Sequence, residues 1–122
     1  MMRNGEAVHI DTTDIDGVIS ENPKWGFSNL DLIGERRGKF LVQEWKREGE
    51  PLSEGQRILL QALAANPAFT VLIVTGNTDG GVMTVGKVWE IVKGKPALIA
   101  IGLDAFREAI RVWYSKVERG EL

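Results

Sequence analysis

The chain has 122 residues, no cysteine and a formal net charge of −2. That is one domain's worth of chain, 1–122, and enough to bury a core without staples. The missing cysteines exclude disulfides, thiolate zinc sites and cysteine nucleophiles. The slight negative charge counts against a protein that grips nucleic acid by bulk positive charge, and no apolar run approaches a membrane span.

The first six residues, Met-Met-Arg-Asn-Gly-Glu, carry no apolar h-region, so a soluble intracellular protein is expected. Residues 1–23 are polar, acidic and weakly periodic, and His9 among them has no second ligand in view, which favours a structural or surface role. Residues 28–34 read as a short strand, 35–38 (Glu-Arg-Arg-Gly) as a tight turn, and 39–46 (Lys-Phe-Leu-Val-Gln-Glu-Trp-Lys) as a second strand. Together they predict a hairpin. Arg36, Arg37, Lys39, Lys46 and Arg47 crowd this middle part of the chain.

After a polar loop, Ser53-Glu54-Gly55-Gln56 forms a capping-box pattern. It opens a helix expected to run to about Ala65, with Ile58, Leu59, Ala62 and Leu63 as its apolar stripe and Asn66-Pro67 as its stop. Residues 70–75 are a continuous apolar run, as in a strand covered on both faces. A loop over 76–81, a strand over 82–92 and a further strand over 97–101 follow. Asp104 is placed to cap a last helix whose stripe is Phe106, Ile110, Trp113 and Val117, with Trp113 in the core or a subunit interface. The order of elements predicts an α/β fold with a mixed sheet.

Strand parity locates the chemistry. Side chains alternate faces with period two, so Phe40, Val42, Glu44 and Lys46 share one face, and Leu41, Gln43 and Trp45 share the other. Trp45 is expected to pack against a helix. A row that begins apolar and ends in a carboxylate and an ammonium is unusual, because burying either charge alone is costly. A turn centred on Arg36-Arg37 would put Asp31 opposite Val42, with Glu44 its diagonal neighbour roughly 7–8 Å away. A turn one residue nearer Lys39 would put Asp31 directly opposite Glu44. Either register brings two carboxylates within reach of one divalent cation. Oxygen-only ligation suits Mg²⁺ (or Mn²⁺), and Lys46 beside it could meet a water or a scissile phosphate.

These residues, Asn29-Leu30-Asp31, Glu44-Trp45-Lys46 and the helix opening at Ser53 to Gln56, resemble the PD-(D/E)xK nuclease superfamily. The likeness is closest to its small VRR-NUC-like and phage Holliday-junction-resolvase-like members, and covers roughly residues 25–75. The resemblance implies a restriction-endonuclease-like core, a mixed β-sheet flanked by helices. It implies Asp31 and Glu44 as metal ligands, Lys46 as the catalytic lysine and Gln56 near the site from the helix N-terminus. Gln56 is also the N3 residue of the capping box, and the two roles are compatible. Leu30 stands where that family has Pro, and the earlier acid many members carry is not evident. Glu21 is the candidate third ligand, with Asp16 behind it. The expected function is a Mg²⁺-dependent DNA endonuclease, structure-selective on branched or flap DNA. A homodimer in the cytoplasm of a prokaryotic or phage-infected cell goes with it.

Two other readings compete. Asp14-Ile15-Asp16-Gly17 and Val74-Thr75-Gly76-Asn77 resemble the first two motifs of haloacid-dehalogenase-like phosphatases. Against that, Asp11-Thr12-Thr13 precedes the first motif where an apolar strand should, and the late acidic motif is missing. An EF-hand loop fails, because Pro23 falls at its twelfth position. A catalytically inactive nuclease-fold protein that binds nucleic acid or a protein partner is the remaining alternative.

Overall fold

A computed structural model describes residues 10–122, so His9 lies outside the described residues. The fold is α/β: five strands form one mixed sheet, flanked by two helices, consistent with a restriction-endonuclease-like core. The strands are β1 (Leu32–Arg36), β2 (Lys39–Lys46), β3 (Phe69–Asn77), β4 (Thr84–Val92) and β5 (Lys95–Ile101), in spatial order β1-β2-β3-β4-β5. Helix α1 (Glu54–Ala64) crosses from β2 to β3, which pair in parallel; every other pairing is antiparallel. Helix α2 (Leu103–Glu118) ends the domain. No helix among the described residues is long and apolar enough to cross a membrane.

The β1–β2 hairpin turns on Arg37-Gly38, both at positive φ (51° and 78°), the pattern of a two-residue type I′ turn. The strand therefore runs to Arg36, two residues beyond the expected 28–34, and the turn is shorter than 35–38. It also starts later, at Leu32. Trp45 N–H donates to the Asp31 carboxylate at 2.7 Å, so a side chain takes the ladder bond where the strand would have continued. The pairing Leu32↔Gln43 through Arg36↔Lys39 selects the second of the two registers, which places Asp31 opposite Glu44 when extended by one step.

Alternate residues of the strands feed two cores. Val42, Val71 and Ile91 pack beneath α1, which contributes Leu60. Leu41, Leu72, Val74 and Val88 pack beneath α2, which contributes Phe106. Strand β3 is buried on both faces, as its apolar run requires. The stripe expected on α1 is corrected. Ile58 and Ala62 are exposed and Leu60 is buried, because the capping box turns Gln56 inward and the inward face continues through Leu60, Leu63 and Ala64. The stripe expected on α2 does meet the core, with Phe106 and Val117 buried and Ile110 and Trp113 packed against the cluster. Its cap is not Asp104. Gly102 occupies that position with φ 89°, its N–H held by the Gly86 carbonyl at 2.7 Å, and Asp104 sits in the first turn.

Candidate active site

Strand β2 ends at Lys46 beside its parallel neighbour β3. In open α/β sheets ligands bind beyond the carboxyl ends of such strands. A cleft of about 560 Å³ opens there, and its walls include Phe27, Asn29, Asp31, Glu44, Lys46 and Gln56. The four residues singled out by parity and resemblance therefore meet in one place. Glu44 is only 4% exposed and Lys46 9%.

Burial of both charges is tolerated because Gln56 joins them. Its Nε2 donates to Glu44 Oε1 at 2.9 Å, and its Oε1 accepts from Lys46 Nζ at 2.8 Å. The same Oε1 accepts from Ser53 N–H at 3.2 Å, while Gln56 N–H donates to Ser53 Oγ at 3.2 Å. The side chain that caps α1 is thus the one that holds the two site residues, and capping fixes its position. Burial, with the Asp31 carboxylate alongside as the second cause, pushes Glu44 up to about 7, against a partial pull downward from Lys46.

Glu21, expected as a third ligand, is not among the residues lining this cleft. It is exposed, and its carboxylate accepts from Ser20 Oγ at 2.9 Å. The further acid at the cleft is Glu50, on the loop after β2, where a third acid was not expected. Its Oε1 accepts from Arg47 N–H at 2.9 Å, its own N–H donates to the Arg47 carbonyl at 2.9 Å, and Oε2 lies 3.6 Å from Lys46 Nζ. The signal for it was spacing. An acid four residues after Lys46, with Gly49 at φ 78° between them, is folded back by a tight turn.

Among the described residues no cluster of three or more His, Cys, Asp or Glu side chains is placed to hold a metal ion. The cleft offers the carboxylates of Asp31 and Glu44, while Glu50 is engaged by the Arg47 N–H. Two carboxylates without nitrogen or sulfur suit Mg²⁺, which keeps most of its waters. A cation beside them would offset the Asp31 repulsion that adds to burial in raising Glu44. The residues fit the ion.

The basic residues that crowd the sequence separate in space. Arg36 and Arg37 sit at the hairpin tip and pair with Glu118. Lys46 and Arg47 lie at the far end of β2, roughly 23 Å away by strand rise. Arg47 forks onto Asp79, Nη2 to Oδ1 at 2.8 Å and Nη1 to Oδ2 at 3.0 Å, tying the site loop to the β3–β4 connection. The phosphatase arrangement finds no geometric support. Asp14 lies in an exposed single 3₁₀ turn, Thr13–Ile15, with no strand before it among the described residues. Thr75 is tied to Lys87, accepting from its N–H at 2.8 Å and donating to its carbonyl at 3.2 Å.

No family model, no curated protein and no solved structure matches this chain.

Proposed function

We propose that the chain is a Mg²⁺-dependent phosphodiester hydrolase that cleaves DNA internally. The observation that carries this reading is the buried Glu44–Gln56–Lys46 chain, with Asp31 beside it, at the open end of β2. A carboxylate and an ammonium are not buried together at a strand end for stability alone, since apolar residues of like volume would serve as well.

In this reading Asp31 and Glu44 hold Mg²⁺, and Gln56 and the Trp45 N–H aim their carboxylates. A bound Mg²⁺ supplies Lewis-acid charge at the phosphate and eases deprotonation of water. Lys46, held by Gln56 Oε1, presents its remaining N–H donors to a phosphate oxygen or to the attacking water. The water oxygen forms the new bond to phosphorus, and the P–O bond to the leaving strand breaks with its oxygen taking a proton. A cytoplasmic setting in a prokaryotic or phage-infected cell belongs to the same reading. So does a homodimer, which Leu98 and Ile101, exposed on edge strand β5, support.

The test is incubation of the purified chain with plasmid and branched DNA in Mg²⁺ or Mn²⁺. Cleavage is expected, lost in chelator and in Glu44→Gln. Intact DNA under every condition with wild-type protein would leave a nuclease fold used only for binding.

A further inference from the structure

Building on the hydrolase reading above, we infer that the DNA enters the cleft as a single strand whose bases stack on Phe27 and Trp25. These rings form an edge-to-face pair, with centroids 5.1 Å apart and planes at 65°. Both face solvent: Phe27 is 63% exposed and Trp25 49%. Burying such rings is strongly favourable, so an exposed aromatic pair beside a polar cleft is a surface awaiting a flat apolar ligand. Phe27 is itself a wall of the cleft that holds Asp31, Glu44 and Lys46. A base on that ring would bring its phosphate toward the carboxylates, because Phe27 and Asp31 are at most roughly 14 Å apart along the chain.

Two further observations select a single strand over a duplex. Duplex binding draws its affinity from Lys and Arg that neutralise phosphates. Here the net charge is −2, Arg36 and Arg37 are engaged by Glu118, and Arg47 by Asp79. Stacking adds affinity beside the phosphate contacts and requires bases freed from their pairs, which a duplex does not offer. Asn29, in the same cleft, adds an amide able both to donate and to accept at an exposed base edge.

The experiment measures binding without cleavage, in chelator, of three labelled probes: a dT 12-mer, an abasic 12-mer with the same phosphates, and a blunt 12-base-pair duplex. The dT 12-mer is expected to bind about tenfold or more tighter than the abasic strand, the effect of at least one stacked base, and tighter than the duplex. Phe27→Ala should erase that advantage and Phe27→Tyr should restore it. Tryptophan fluorescence quenched by dT should lose that quenching in Trp25→Phe. Equal binding of dT and abasic strands, tighter binding of the duplex, or no binding of any probe would overturn the inference. If the Phe27-dependent preference holds but no DNA is cut in Mg²⁺, stacking stands and the hydrolase reading falls. If DNA is cut and Phe27→Ala binds dT like wild type, the reverse is true.

Discussion

Leu41, Leu72, Val74 and Val88 form an apolar layer with Phe106 of α2, and a cavity of about 500 Å³ with mostly apolar walls lies beside it. Beneath α1, strand β2 runs from buried Val42 to buried Glu44 and Lys46. One strand thus supplies both layers, and only the second spends burial on charge. The contrast separates what holds the fold from what the fold is for. The α2 face answers to packing, where volume and shape decide. The α1 face near the strand end answers to hydrogen bonding, and a single helix-cap glutamine makes the burial of two charges tolerable.

Substitutions on the two faces should therefore fail differently. The largest stability effect is expected from Phe106→Ala, which empties the α2 layer and should cost about 3–5 kcal/mol in urea unfolding. Cleavage per folded molecule should hardly change. Next is Lys46→Met, expected to lower the cleavage rate about a hundredfold to a thousandfold, or about 2.7–4 kcal/mol of barrier, as when a transition-state donor is lost. The folded fraction should be retained, and single-turnover assays measure both quantities. If Phe106→Ala abolished activity at full folding, or Lys46→Met cut normally, the division between the faces would be lost.

A smaller effect sharpens the comparison through pH. Glu44 ionises near 7 in the folded metal-free protein, against an ordinary value of 4.5. A carboxyl whose folded value is raised stabilises the fold fully below the unfolded value. That contribution declines as pH rises toward about 7 and is gone above it. Urea midpoints of wild type should therefore fall relative to Glu44→Gln between pH 4.5 and 7 and then run parallel. The Phe106→Ala deficit should show no such trend. Parallel curves for wild type and Glu44→Gln throughout would mean that Glu44 is not held in this way.

Much of this layout was legible before any coordinates. The apolar run of β3, the alternation of β2 and the Ser53–Gln56 capping box each carry a period or spacing that local physics enforces. Where side chains decide, the sequence was mute. The two hairpin turns, Arg37-Gly38 and Lys93-Gly94, put a long cationic residue at positive φ, where Asn or Asp would have announced the turn. That is why the β1–β2 register stood between two choices and β5 began earlier than expected, at Lys95. The α1 stripe was displaced because Gln56, polar in sequence, faces inward to reach Glu44. Glu50 was passed over because loop acids usually face water, and Phe27 because an aromatic in a polar segment carries no periodicity. Glu21 was favoured on nearness in the chain, which says nothing about nearness in the cleft.

The central claim is that Asp31 and Glu44 form a cation site in which Lys46 takes no part. Titration calorimetry of Mn²⁺ above pH 7, where Glu44 has lost its proton, tests it most directly. Wild type and Lys46→Met should bind with similar affinity, and Asp31→Asn and Glu44→Gln should lose that binding. Undiminished binding in Glu44→Gln, or none in wild type, would contradict the account.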